Sequence, residues 1–279
     1  MRKKLLLLEV AFVLLLSIVA FAGANCDIRN SEYEQELLFE FRYGTGEAAS
    51  YRDFAVAGLY VVSGRPNYRG EIVIPNYVNG VSVVGIAFQA FGSITPSSVN
   101  LRKLTIPRNI RIIANAAFEN IRFLEKVIFE EGSKLRAIGN RAFSYAGFRD
   151  IDLPSSIEFI GRDAFTLEKF VAPKSMLHIT ESPFHIGYLT NVVLHDKVES
   201  ISTRAFAGAR SINSIFIPKS VLIVGTNAFA NWTKEQTIYI EHEFIPSGWS
   251  YQTLHGYYFW NHGGNATIVW GATREMANV

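Results

Sequence analysis

Residues Leu153–Phe165 read LPSSIEFIGRDAF: a proline second, two isoleucines three apart, and Ala-Phe to close. The same order returns forty-seven residues earlier in IPRNIRIIANAAF from Ile106, and sixty-four residues later in IPKSVLIVGTNAF from Ile217. Working outward from these copies, seven phenylalanines fall in one register: Phe91, Phe118, Phe143, Phe165, Phe184, Phe206 and Phe229. Their intervals are 27, 25, 22, 19, 22 and 23 residues, the period of a chain built from stacked repeats.

Counting back from each ring gives further columns. Five residues before stand Ile86, Ile113, Ile138, Ile160, Ile179, Ile201 and Val224. Eight before stand Val83, Ile110, Leu135, Ile157, Met176, Val198 and Val221. The place four before is small throughout: Ala87, Ala114, Gly139, Gly161, Thr180, Ser202 and Gly225. Alanine precedes six of the seven rings, and Pro183 precedes Phe184.

Each unit also carries an upstream pair at period two. Leu104 and Ile106 precede Pro107, Ile151 and Leu153 precede Pro154, and Ile215 and Ile217 precede Pro218. Val192 and Leu194 precede His195 in the proline's place, and Val127 and Phe129 precede Glu130. Alternation ended by a residue that cannot donate to a ladder predicts a short strand. The later aliphatics, three apart, predict a bent second segment aiming two side chains inward, and Ala-Phe a tight turn whose ring fills the space between coils. Burial of such a side chain is worth about 1.5–3 kcal/mol, but only the next coil can supply it. Units must therefore stack, with capped ends. The expected fold is a β-rich, leucine-rich-repeat-like solenoid of about seven units, with short parallel strands and turns in each coil. Loops are expected at Thr95 to Val99 and at Glu130 to Leu135.

This pattern resembles the BspA-like, or Treponema-type, leucine-rich repeat, which runs Leu-x-x-Leu-x-Ile-Pro, Val-x-x-Ile-Gly, Ala-Phe. The resemblance covers about Glu71 to Ile240, and EIVIPNYVNGVSVVGIAFQAF looks like the family's opening repeat, with Asn79-Gly80 as a hairpin turn. Many members place a cysteine three residues after the Phe. Here that place holds Ile94, Ile121, Ala146, Gly187, Ala209 and Trp232, so nothing that depends on a cysteine ladder carries over. The resemblance implies attachment at a cell surface to host or matrix proteins.

The flanks read differently. MRKKLLLLEVAFVLLLSIVAFAGANC has the basic start, apolar run and small residues of a secretory signal, assigned to residues 1–25. The unbroken run Val10 to Ala22 is short for a span, which needs about 20 residues. An uncleaved anchor from Leu5 is the competing reading. Cys26 is the only cysteine, so no internal disulfide exists, and its place after the leader resembles a lipobox, although Asn25 departs from the usual small residue. Lipidation of Cys26 and ordinary cleavage nearby both stand. Residues 27–69 read as an N-terminal β cap, 70–240 as the solenoid, and 241–279 as an aromatic-rich C-terminal cap ending in the strand ATIVWG. A sugar-stacking platform built on Trp249, Tyr251, Tyr257, Tyr258, Phe259, Trp260 and Trp270 is the alternative to that cap.

The chain has 279 residues, 49% of them hydrophobic and 19% charged, a composition that builds a core. Its net charge is +2, from 27 Lys+Arg against 25 Asp+Glu. Removing Arg2, Lys3, Lys4 and Glu9 with the leader leaves 24 against 24, so the body is neutral and lacks the basic surface that phosphate binding requires. His178, His185, His195, His242, His255 and His262 show no zinc-ligand spacing. No nucleophile elbow or phosphate-cradling loop occurs. The sequons at Asn231 and Asn265 are read as silent. The expectation is a non-enzymatic protein without cofactor or metal.

One feature points to a partner. The middle residue of each strand before the proline should face outward. Those residues are Thr105, Ile128, Asp152, Val171, Val193, Phe216 and Tyr239, and the last four make an apolar stripe on consecutive coils. At strand spacing it spans on the order of 15 Å. A protein ligand on Val171, Val193, Phe216 and Tyr239 is one reading. Plain β-propensity, or a flank folded over the stripe, is the other. The functional expectation is an exported or cell-surface protein that binds macromolecules through its open sheet face, with carbohydrate binding by the C-terminal aromatics as the alternative.

Overall fold

A computed structural model of the chain describes residues 39–44, 58–64, 69–92, 100–184, 188–249, 259–261 and 264–278. The leader, Cys26, the loop at Thr95 to Val99, His185, His255 and His262 lie outside the described residues, as do Tyr251, Tyr257 and Tyr258.

Strand β1 (Phe39–Gly44) pairs antiparallel with β2 (Gly58–Gly64), which runs parallel to the first coil. That coil holds β3 (Arg69–Val73) and the hairpin of β4 (Tyr77–Val78) and β5 (Val81–Ile86). Asn79 (φ 49°) and Gly80 (φ 77°) make the two-residue turn expected of that dipeptide. A longer and a shorter strand then alternate: β6 (Asn100–Ile106) and β7 (Ile112–Ile113), β8 (Lys126–Phe129) and β9 (Ala137–Ile138). Next come β10 (Phe159–Ile160), β11 (Lys169–Val171), β12 (His178–Ile179), β13 (Asn191–Val193) and β14 (Ser200–Ile201). After β15 (Ser214–Ile217), β16 (Ile223–Val224) and β17 (Thr237–Ile240), the chain closes with a 3-10 turn (Phe259–Asn261), β18 (Thr267–Trp270) and one helical turn, α1 (Arg274–Ala277).

Pairing runs from coil to coil and is parallel, so the described residues form a β-solenoid with almost no helix among them. The long strands form β3–β6–β8, β11–β13 and β15–β17–β18. Register keeps like on like: Leu104 faces Val127, and Ile215, Ile238 and Ile268 follow one another. The short strands form β5–β7–β9–β10, joined to β2, and β12–β14–β16. Every residue five or eight before a ring is fully buried, at 0% exposure from Val83 to Val224.

The expected strand at Ile151–Leu153 does not form. The N–H of Ile151 donates to the Asp150 carboxylate next to it, a local bond that competes with the ladder. Both aliphatics are half-buried and still pack on the core.

The rings stack as expected over the first four coils. Phe91–Phe118, Phe118–Phe143 and Phe143–Phe165 lie 4.7, 5.0 and 5.4 Å apart, near the strand spacing. Phe184 meets Phe170 at 4.4 Å in a tilted pair, and Phe206–Phe229 stack at 5.6 Å. A third ladder, absent from the sequence reading, runs beside them. The Phe118 N–H donates to Ala142 O at 2.7 Å, Phe143 to Ala164 O at 2.7 Å and Phe206 to Ala228 O at 2.8 Å. Two residues before every ring the backbone is left-handed: Gln89, Ala116, Arg141, Asp163, Ser182, Arg204 and Asn227, with φ from 44° to 60°. None is glycine, so the conformation is imposed by the ladder on both sides of it. The Ala116 N–H donates to Asn140 O and the Arg141 N–H to Arg162 O.

Candidate functional site: the outer face of the long strands

The residues expected to face outward sit last or next to last in their strands, and the structure sorts the stripe into two parts. Val171 is 51% exposed at the end of β11, paired in register with half-buried Val193 at the end of β13. Thr105 and Ile128 on the same side are half-buried, and Asp152 is exposed.

Phe216 points outward yet is only 2% exposed, so of the two sequence readings of this position it is the folded-over flank that applies. The C-terminal residues fold back across it. Ala272 and Ala277 cluster with its ring, with Tyr239 and Val269 packed alongside. The Arg274 guanidinium sits over the ring at 4.8 Å from its centroid. Its Nη2 donates to Leu194 O at 3.0 Å and pairs with the Asp196 carboxylate. Backbone bonds from Gly271 to His242 O and from Ala272 to Ile240 O, both 2.9 Å, place the segment. The chain's own C-terminal flank covers this half of the stripe. Arg274 and Asp196 carried no signal in the sequence, being 78 residues apart and in unlike contexts.

Of the described C-terminal aromatics, Trp249 and Trp260 belong to the core, as does Trp232 before them, and Trp270 is half-buried against it. Trp232, Trp249 and Trp260 are each 1% exposed or less. Trp232 and Trp260 meet Phe229 edge-on at 5.3 and 5.9 Å, and Trp249 meets Trp260 at 5.2 Å. Phe229 N–H donates to Trp260 O at 3.0 Å, so Trp260 takes the next place in the ring ladder. The indole N–H groups of Trp232 and Trp249 donate to Phe206 O and Val221 O. Rings held this way have no face to offer a sugar, so Trp249 and Trp260 are removed from the carbohydrate-platform reading. A shallow cavity of about 390 Å³ beside them is lined by Asn231, Trp232, Thr233, Lys234, Glu235 and Asn265.

The described histidines have structural work. His195 stands where other coils have proline. Its Nδ1 accepts from the Lys197 N–H at 3.1 Å, and its Nε2 donates to Pro173 O at 2.9 Å, a link between coils. His242 Nε2 donates to Val221 O at 3.1 Å. His178 Nδ1 shares a bond with the Ser200 hydroxyl at 2.9 Å. Among the described residues no cluster of three His, Cys, Asp or Glu is placed to hold a metal, and no helix is long and apolar enough to cross a membrane.

Electrostatics follow the coil spacing. Arg136 Nε and Nη2 donate to both Glu158 oxygens at 2.8 and 2.7 Å, holding that carboxyl below the usual carboxylate range against the opposing effect of burial. Burial pushes the Glu130 carboxyl up, but hydrogen bonds from Asn76 and the Arg108 N–H, with the Arg108 charge, leave it below its ordinary value. Both are ties between coils.

Parallel coils, an in-register aromatic column and an outward sheet face define a leucine-rich-repeat solenoid. The BspA type leucine rich repeat region matches in six copies over residues 88–186 and 166–255, and the chain belongs to that family. A leucine rich cell surface protein from Faecalibacterium prausnitzii superposes with a TM-score of 0.57 at 22% identity, over 81% of this chain and 57% of that one. The match thus spans little more than half of that relative. The leucine rich repeat protein of T. pallidum superposes with a TM-score of 0.52 at 25% identity, over 63% of this chain and 78% of that one. No curated protein matches the chain.

Proposed function

We propose that this chain is a non-catalytic, exported surface protein that recognises a protein partner through the outer face of its long strands, centred on Val171 and Val193. The observation that carries the reading is a half-exposed valine at the end of β11, paired in register with half-buried Val193 on the next coil, so that two apolar side chains lie side by side on the outer face. Leucine-rich-repeat proteins of this family serve protein interaction in general, and the F. prausnitzii relative is described as a cell surface protein. Residues 27–69 and 241–279 are taken as caps that shield the first and last coils. A host matrix or cell-surface protein is the proposed ligand, and diacylglycerol on Cys26 the proposed anchor, checked by palmitate labelling that a Cys26→Ala chain should lose.

The test is direct. Residues 27–279 carrying Val171→Lys and Val193→Lys should bind an extracellular-matrix preparation at least about tenfold more weakly than the native sequence, since each buried valine contact is worth about 1.5–3 kcal/mol. Thermal melting should be unchanged, because both side chains face away from the core. Equal binding with an intact melt would place the partner elsewhere.

A further inference from the structure

The apolar stripe has an occupant made by the chain itself. Residues Gly271–Asn278 lie across β15 and β17, and their grip on the sheet differs from that of a core element. Phe216 is sealed by two alanines and one arginine, and Met276 on the same turn is 50% exposed. The turn is four residues long, too short to hold its shape without the surface beneath it. It enters through Gly271, whose φ of 65° suits a glycine hinge. Two backbone bonds tie its start, and beyond them the Arg274 side chain makes the attachment. That side chain is one-third exposed, and its partner Asp196 is 78% exposed, so water and salt reach the pair.

We propose that residues 271–278 form a detachable strap, an internal ligand that occupies part of the recognition face and exchanges with an external segment of the same chemistry. This rests on the reading of that face as the recognition surface. Strap contacts specify the competitor: a peptide segment with an arginine to lie over Phe216 and answer Asp196, flanked by side chains as small as Ala272 and Ala277. With the strap closed, the open surface is the Val171–Val193 half. When it is open, Phe216 extends the apolar stripe by another coil. An arginine stacked on an aromatic ring beside an exposed carboxylate is a modest local attachment that a single substitution removes.

The experiment compares the full chain with Arg274→Ala by hydrogen exchange and by bis-ANS fluorescence. Loss of the arginine should speed exchange at Gly271, Ala272 and the following turn by about tenfold, while Val192, Ile215 and Ile238 keep their native rates, the signature of local opening. Dye emission should rise. A synthetic GATREMANV peptide at millimolar concentration should reverse the rise, and the same peptide with its arginine replaced by alanine should not. Unchanged exchange, exchange that speeds up in strap and sheet together, or dye emission indifferent to the peptide each overturns the strap. The partner reading fails on a different result, matrix binding unaffected by Val171→Lys and Val193→Lys, so the two are told apart.

Discussion

At the scale of single residues, the repeat is held by what each column must exclude. The rings exclude water: Phe143 is fully buried between Phe118 and Phe165, with Phe148 edge-on at 5.8 Å. Phe143→Ala should cost about 3–5 kcal/mol in a denaturant titration, the price of a large cavity that stacked coils cannot collapse to fill. A cost below about 1 kcal/mol would mean that the ring column does not bind the coils. The small column excludes bulk instead, and at its glycines any side chain at all. A Cβ on Gly161 would stand 2.5 Å from the Asn140 backbone nitrogen, and one on Gly225 would stand 2.4 Å from that of Thr203. Both columns were plain in the sequence because a steric requirement repeated on every coil leaves a repeated letter. The left-handed turns were hidden for the converse reason. Gln89, Ala116 and Arg204 share a backbone conformation but no side-chain property, since neighbouring carbonyls hold the conformation.

At the scale of elements, polar ties between coils modulate what the apolar columns fix. The Asn115 side chain accepts from the Asn140 N–H at 2.7 Å, and Asn140 does the same for Arg162 at 2.8 Å, a short asparagine ladder beside the turns. At Thr180 the hydroxyl donates to the Ile160 carbonyl, where Gly161 and Gly225 use their backbone N–H on the coil before. The Arg136–Glu158 pair gives a pH prediction. The folded Glu158 carboxyl titrates below its unfolded value, so the pair's contribution is complete above the unfolded pKa, about 4.3, and disappears as pH falls through the folded value. Both side chains are over a third exposed, and screening limits the pair to the ~0–1 kcal/mol of a surface bridge. Glu158→Gln should therefore lower the melting temperature slightly at pH 7 and not at pH 3. An equal shift at both would assign the loss to something other than charge.

At the scale of the molecule, each coil touches chiefly its neighbours, so disturbance at one end should stay there. Trp260 packs edge-on against Phe229 and Trp249 beyond the last of the repeated rings. Trp260→Ala should accelerate hydrogen exchange at Phe229, Ala230 and Trp249 while leaving Phe118 and Phe143 at native rates. Uniform acceleration would instead show a single cooperative unit, with stability shared over all coils.

The sequence alone determined the solenoid, its period, the inward columns and the family, because burial in a stacked repeat is a local demand met afresh in every unit. It also marked the outward apolar stripe, since strand alternation fixes which side chains turn away from the core. Only the tertiary structure decided which part of that stripe is open. Val171 stands in solvent, while Phe216 lies under Ala272, Arg274 and Ala277, residues about sixty positions further along. Such a contact is made once, between segments with no shared pattern, and a contact made once leaves no periodic trace.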